Sequence, residues 1–188
     1  MREELLKQSI LLFQQKGFSE TSIQDIVDTI GVTKGSLYYH YPSKESLLMD
    51  IQQQYIDGLL NRQEVILEKN ESCRERLLQI VELLILDLRT QGPNGRIFFR
   101  EIRNLGPENA KIIRNKRGKF RSNVEQLIID GIEAGEFRKE LHPKMIALAI
   151  LGVTNWSYTW FNTAGDVSVE ELAVMYSDFI LKGVIQEV

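Results

Sequence analysis

Side chains that can hydrogen-bond to a nucleic acid cluster between residues 21 and 44 of this 188-residue chain. Hydroxyl, ammonium and imidazole groups are among those that proteins present to DNA phosphates and base edges. From residue 32 to residue 44 the chain has two lysines, one histidine and no acidic residue. The stretch therefore predicts a surface that contacts DNA. Its candidate residues are Thr21, Thr33, Lys34, Ser36, Tyr38, Tyr39, His40 and Lys44.

The pattern around these residues predicts a helix-turn-helix. Thr21 is a candidate N-cap with Gln24 as its capping-box partner. Gly31 ends the first helix, because glycine readily adopts the positive φ of a helix end. Thr33 caps the second helix, in which Leu37 faces inward and the polar side is free to enter a DNA groove. The alternative is a set of packed helices whose polar side faces only water.

The same region resembles the N-terminal DNA-binding domain of the TetR/AcrR family of transcriptional repressors. The resemblance begins at Leu5, includes residues 12–13 and 17–18, and is strongest over residues 31–41 and 44–48. It implies a dimer that binds palindromic operator DNA and responds to a small-molecule effector. The chain departs from the family pattern, which usually has Ala or Phe, at Ser9, Val27, Ile30 and Tyr41.

Composition limits the other classes of function. The net charge of −3 is not that of a strongly basic nucleic-acid binder, so few phosphate contacts per protomer and dimeric binding are expected. Cys73 is the only cysteine and there are two histidines, which predicts no intrachain disulfide and no metal site. No nucleophile elbow, phosphate loop or other catalytic motif is present, so we expect no enzyme, no catalytic residue and no cofactor.

The start of the chain lacks a signal-peptide pattern. The longest apolar run, residues 145–153, is too short to cross a bilayer. These features predict a cytoplasmic protein with no membrane partner.

Helical periodicity predicts an all-α fold of about nine helices. We expect a three-helix helix-turn-helix domain over residues 1–47, and a helical bundle for ligand binding and dimerisation over residues 48–188. Ser72 with Glu75, and Ser168 with Glu171, are predicted capping boxes. Beyond the helix-turn-helix, the predicted helices cover residues 2–16, 44–69, 72–88, 96–105, 108–134, 143–162 and 168–185, with a turn at 92–95.

Two helices near the end of the chain predict self-association. The helix that starts at Pro143 is apolar nearly all round between residues 145 and 153, and the last helix carries Met175, Phe179 and Ile180 at helical spacing. Such helices need cover on more than one side. Two of them from each protomer would form a four-helix dimer interface, which the resemblance also implies. The alternative is that they form only the core of the monomer.

Aromatic and basic residues predict a ligand site in the second domain. Trp156 and Trp160 are four residues apart and share a helical face with Gly152. Residues 111–121 contain six Lys/Arg and no acidic residue, which suits an anionic partner such as coenzyme A or DNA. The alternatives are core packing for the tryptophans and a solvated helix face for the cations. The candidate ligand-binding residues are Phe99, Arg100, Arg103, Arg117, Gly152, Asn155, Trp156 and Trp160.

Residues 99–102, 133–138 and 152–156 with Trp160 resemble the C-terminal domains of TetR-like regulators that sense acyl-CoA thioesters. That resemblance implies an acyl chain inside the helical bundle and a coenzyme A head near basic residues. A fatty acyl-CoA is therefore the expected effector. The alternatives are a lipophilic drug as effector, or a second domain that binds another protein.

Overall fold

The computed structural model describes residues 1–185, and α-helices dominate this part of the chain. Besides the α-helices, the described residues contain a short 3-10 helix at Ile102–Asn104 and one isolated β-bridge between Phe137 and Ile185. The prediction of an all-α fold with about nine helices is confirmed. The α-helices are α1 Arg2–Lys16, α2 Ile23–Ile30, α3 Lys34–His40, α4 Lys44–Leu67, α5 Cys73–Thr90, α6 Gly92–Arg100, α7 Pro107–Glu133, α8 Pro143–Trp160 and α9 Val169–Val184.

The capping boxes predicted for α5 and α9 are confirmed, but the one predicted for α2 is shifted by one residue. Ser22, rather than Thr21, is the N-cap of α2, and its capping-box partner is Asp25 rather than Gln24. The reason is the position of Thr21, which is fully buried and whose hydroxyl donates to the Gly17 carbonyl over 2.7 Å. A side chain held in this way cannot turn to cap the next helix.

The predicted turn at residues 92–95 is wrong, because these residues form the first turn of α6. Pro93 is compatible with a first helical turn, where its missing N–H would have no intrahelical partner. The helix predicted over residues 96–105 also ends earlier than predicted. It stops at Arg100, and the chain continues into the 3-10 helix.

The chain divides into two compact units. The first contains residues 1–57 together with 93–115, and the second contains residues 58–92 together with the chain from 116 onward. This division differs from the predicted boundary at residue 47, because α6 and the start of α7 pack with the N-terminal helices. For example, the Gln52 amide donates to the Ile97 carbonyl over 3.2 Å in a buried position, and the rings of Tyr55 and Phe98 lie 4.8 Å apart.

Each unit has its own apolar core. In the second unit, α5 packs against both α8 and α9. Arg62 binds the buried carboxylate of Asp87 through both of its terminal nitrogens, which compensates the burial of that charge. The most deeply buried apolar side chains of the first unit include Leu5, Phe13, Ile26, Leu37, Leu47 and Leu48, and those of the second include Leu77, Ile80, Ile85 and Val124.

The described residues provide neither a membrane-spanning helix nor a metal-binding cluster. None of the helices there is long and apolar enough to cross a membrane. That same part of the chain brings together no group of three or more His, Cys, Asp or Glu side chains that could hold a metal ion.

Candidate functional site

Helix α3 presents large polar side chains to the outside of the first unit. Tyr39 is 85% exposed, Tyr38 and Lys34 are also exposed, and Leu37 on the opposite side is fully buried. Thr33 begins the helix, because its hydroxyl accepts a hydrogen bond from the Ser36 backbone N–H over 3.2 Å. Burial of Leu37 therefore fixes which side of this short helix faces outward.

The structure brings together six of the eight predicted DNA-contacting residues. Thr33, Lys34, Ser36, Tyr38, Tyr39 and His40 all belong to α3 or its N-cap. The ring of His40 meets that of Tyr39 edge-on, with 5.0 Å between centroids. These six residues, of which Ser36 and His40 are half-buried and the other four exposed, form what we call the α3 surface.

The other two predicted residues, Thr21 and Lys44, have different roles in the structure. Thr21 is buried, as described above, and does not reach the α3 surface. The Lys44 ammonium donates to the carbonyls of Phe18 and Thr21, over 2.8 and 2.7 Å, and lies 4.4 Å from the centre of the Phe18 ring. Burial lowers the pKa of Lys44. Lys44 therefore closes the connection between α1 and α2, and its ammonium is occupied by the protein itself.

A polar cluster around the buried side chain of Tyr41 holds the end of α3. Tyr41 is only 3% exposed, and its hydroxyl donates to Asp50 over 2.6 Å. Arg2 donates both to Asp50, over 2.9 Å, and to the Tyr41 hydroxyl, over 3.2 Å. Burial and the Asp50 carboxylate raise the pKa of Tyr41 to about 12. The cluster joins α1, the end of α3 and α4. In the sequence, Tyr41 stands out only as a departure from the family pattern.

Three of the predicted ligand-binding residues belong to the first unit. Phe99 is half-buried with its ring edge-on to Phe98, at 5.1 Å between centroids. Arg100 donates to the Phe13 carbonyl and to the Glu101 carboxylate, both over 2.6 Å. Arg103 is exposed. Arg100 thus fastens α6 to α1, a role that the sequence did not predict.

The other predicted ligand-binding residues belong to the second unit. Gly152, Trp156 and Trp160 share one exposed side of α8, and Asn155 beside them is half-buried. Trp156 is 65% exposed in the single chain, whereas the wall of a ligand pocket is largely enclosed. Arg117 lies on α7, where burial lowers its pKa. The shared face of the tryptophans is as predicted, but within its own chain this face is open.

Helix α9 has an exposed apolar side of the same kind as α8. Phe179 is 67% exposed, and Val174 and Met175 on the same helix are exposed as well. Exposed apolar side chains at this density mark an interaction surface rather than an ordinary solvent-facing helix. We call the two sides together the α8/α9 face, formed by Met145, Leu148, Gly152, Trp156, Trp160, Val174, Met175 and Phe179.

Family comparisons agree with the order of these elements. The profile described as "Bacterial regulatory proteins, tetR family" matches residues 5–51. The profile described as "Tetracyclin repressor-like, C-terminal domain" matches residues 70–184, more than half of the chain. The chain belongs to the TetR family. It is a transcriptional repressor of this non-enzymatic DNA-binding family.

TetR-family relatives match along nearly the whole chain. The HTH-type transcriptional repressor KstR2 of Mycolicibacterium smegmatis is 25% identical and aligns over 98% of this chain and 91% of its own length. The crystal structure of the TetR family regulator PfmR from Thermus thermophilus is 31% identical, covers 95% of this chain and 97% of its own, and has a TM-score of 0.88. The crystal structure of AibR in complex with isovaleryl coenzyme A and operator DNA is 25% identical, covers 98% and 97% of the two chains, and has a TM-score of 0.84.

Proposed function

We propose that this TetR-family protein is a homodimeric repressor that reads palindromic operator DNA through α3 and is released by a fatty acyl-CoA. The observation that carries the DNA-reading part is the α3 surface, where exposed Tyr39 and Lys34 project from a helix anchored by buried Leu37. Such a repressor acts where its operator lies, which is the cytoplasm.

The chemistry of each side chain suggests its role on DNA. Lys34, Ser36 and His40 carry groups that pair with base edges in the major groove. Tyr39 is 85% exposed and is suited to a phosphate oxygen, as are the hydroxyls of Thr33 and Tyr38. Thr21 and Lys44 are not proposed to contact DNA, because their polar groups bond within the protein.

The α8/α9 face supports the dimer. Its side chains are apolar, large and exposed, and a second copy of the chain offers a surface of the same chemistry. Two α3 helices about one turn of B-DNA apart read a palindrome, whereas one α3 helix reads only a half-site. We propose that Trp156 and Trp160 lie in this face, where the second protomer covers them.

An acyl-CoA effector is supported by two observations. AibR, which matches nearly the whole chain, has been solved with isovaleryl coenzyme A and operator DNA. Within this chain, Lys111, Arg114 and Lys119 on α7 are exposed, and residues 111–121 include no acidic residue, which suits the phosphates of coenzyme A. Within the second unit, Arg117 and Asn155 remain proposed contacts of such a ligand.

Release by the effector requires a difference in its affinity for two conformations. Only a ligand that prefers the conformation with weaker DNA binding shifts the equilibrium toward it. A tenfold loss of DNA affinity corresponds to about 1.4 kcal/mol of such preference. The effector therefore need not bind tightly, but it must bind the two conformations unequally.

The experiment that tests this function combines DNA binding with ligand titration. An operator duplex is first selected in vitro from random sequences, and its affinity is measured by fluorescence anisotropy. Acyl-CoA esters of several chain lengths are then added, with free coenzyme A and free fatty acids as controls, and their binding is measured by isothermal titration calorimetry. We expect saturable binding and loss of DNA binding with esters of one range of chain lengths, and much weaker effects with the controls.

Two charge-reversal variants test the cationic stretch of α7, residues 111–121. Lys119→Glu should weaken the response to the ester, whereas Lys139→Glu, which reverses the charge of an exposed lysine outside α7, should not. Absence of any response to any ester would contradict the acyl-CoA effector and leave DNA reading intact. The effector would then be a lipophilic drug, or the second unit would bind another protein.

A further inference from the structure

A carboxylate next to the recognition helix is bonded to a distant part of the chain. Glu45 lies in the first turn of α4, which follows α3 directly. Its Oε1 accepts from the Gly106 backbone N–H over 2.7 Å and from the Asn109 side-chain amide over 2.8 Å. Gly106 and Asn109 are 61 and 64 residues further along the chain, and all three belong to the first unit.

The contact has the chemistry of a helix cap supplied by another helix. The Gly106 carbonyl accepts from the Ala110 N–H over 2.9 Å, so Gly106 stands at the N-cap of α7. In a capping box, a Glu three residues on accepts from the N-cap backbone N–H. Here that third position is Asn109, which cannot supply a carboxylate, and Glu45 supplies it instead. The contact lowers the pKa of Glu45, first through Asn109 and then through Gly106.

The absence of a side chain at Gly106 allows the Glu45 carboxylate to approach its backbone closely. A Cβ atom at Gly106 would lie 3.1 Å from Glu45 Oε1, closer than ordinary van der Waals contact. The same end of the first unit is fastened by Arg100, which donates to the Phe13 carbonyl, and by Gln52, which donates to the Ile97 carbonyl. Of the three contacts, that of Glu45 is nearest to α3 in sequence, because only residues 41–44 separate Glu45 from the end of that helix.

We propose that Glu45 is a positioning residue that couples the DNA-bound state of α3 to the conformation of residues 101–112. The carboxylate holds the start of α7 against the first turn of α4, so DNA that fixes α3 also fixes this contact. Such coupling is reciprocal, because two linked equilibria shift each other by the same factor. Residues 101–112 thereby sense operator binding without touching DNA. The proposal rests on DNA reading by α3 but not on the identity of any effector.

Amide hydrogen exchange of residues 101–112 tests the coupling. Exchange is measured by mass spectrometry for the full chain alone, with the selected operator duplex, and with a scrambled duplex. In the unsubstituted protein we expect the operator to slow exchange in this segment by about fivefold or more, the lower end of typical coupling factors. In Glu45→Ala the slowing should disappear, while Glu45→Gln, whose amide oxygen still accepts a hydrogen bond, should retain part of it.

Two further variants serve as a control and as a substitute for Glu45→Ala. Glu64→Ala removes an exposed carboxylate from the same helix and should retain the full slowing. If Glu45→Ala does not fold, as judged by circular dichroism, Asn109→Ala removes one donor to the carboxylate and should reduce the slowing. Slowing that persists in Glu45→Ala, or is absent in the unsubstituted protein bound to operator, overturns the coupling. Failure to bind any duplex overturns the proposed function itself, and anisotropy reports that result separately.

Discussion

The α3 surface and the α8/α9 face both expose large side chains, but they differ in chemistry. Tyr38 and Tyr39 end in hydroxyl groups and lie beside Lys34, whereas Trp156 and Phe179 are accompanied by Met, Leu and Val. A phosphate backbone with base edges matches the first surface. A second apolar surface matches the other. The two surfaces show that clustered exposed side chains mark an interface, and that the polar or apolar tips of those side chains indicate the kind of partner.

The two surfaces also differ in how they are held. Helix α3 has seven residues, too few to be stable alone, so its position depends on neighbouring groups. Those groups are the Thr33 cap, buried Leu37 and the Tyr41 cluster. Helices α8 and α9 are longer and pack on α5. The α3 surface should therefore be the more sensitive of the two to single changes in the groups that hold it.

The largest effect is expected from a charge placed in the α8/α9 face. If the proposed dimer forms through this face, Phe179→Asp should convert it to a monomer in sedimentation, because the change would bury an unpaired carboxylate in each half of the interface. Affinity for the palindrome should fall by about 100-fold or more, since a monomer contacts one half-site. Val65→Asp is the control, because Val65 is apolar and 62% exposed on α4, close to the 67% of Phe179. Equal behaviour of the two variants would contradict the assignment of the face.

On the other surface, Lys34→Ala should weaken operator binding without changing the oligomeric state. Loss of a single base contact costs about 1–3 kcal/mol, which is roughly 5- to 150-fold in affinity. Anisotropy at several salt concentrations separates the two roles. A base contact would relax selectivity for one position, whereas a phosphate contact would reduce the salt slope. Lys7→Ala changes an exposed lysine on α1 and should leave affinity unaltered.

Lys44→Met should lower the free energy of unfolding rather than the affinity for DNA. The substitution leaves the carbonyls of Phe18 and Thr21 without their donor, at a cost of about 2 kcal/mol. Urea unfolding measures this change. Lys16→Met removes an exposed ion pair with Asp25 and should cost less than half as much. A reduced salt slope of DNA binding with unchanged stability would instead return Lys44 to the phosphate contacts.

The smallest effect is expected from Tyr41→Phe. Loss of the hydroxyl removes the hydrogen bonds with Asp50 and Arg2, worth about 1 kcal/mol near neutral pH. The folded-state pKa of about 12 is above the usual value of 10, so the stabilisation is complete below pH 10 and is lost as the pH rises toward 12. The difference in unfolding free energy between the two proteins should therefore shrink across this interval. A constant difference would show that Tyr41 ionises normally.

Local patterns made much of the fold predictable. The S-x-x-E pairs at Ser72 and Ser168 start α5 and α9 as predicted, because the interaction spans only three residues. The one-residue error at α2 arose where two hydroxyl residues, Thr21 and Ser22, are adjacent. A tertiary hydrogen bond to Gly17 decided between them. The turn predicted at residues 92–95 failed because Gly-Pro sequences are compatible with a first helical turn as well as with a loop.

The candidate site was predictable only where its residues are close in sequence. Thr33 and residues 34–40 share one helix and its cap, so their grouping follows from helical geometry alone. The roles of Lys44 and Glu45 depend on partners far along the chain, Phe18 in one case and Gly106 in the other. No local pattern specifies such pairs. The exposure of Trp156 was likewise hidden, because an apolar helix face looks the same in sequence whether it is buried in a core or covered by a second protomer.

In vitro selection of DNA from random duplexes is the most direct test of the central claim, which is that a dimer reads operator DNA through paired α3 helices. Such a dimer should enrich a palindrome whose half-sites are about 10 base pairs apart, centre to centre. Lys34→Ala should relax or abolish that enrichment. A single asymmetric half-site, or no enriched sequence at all, would contradict the claim.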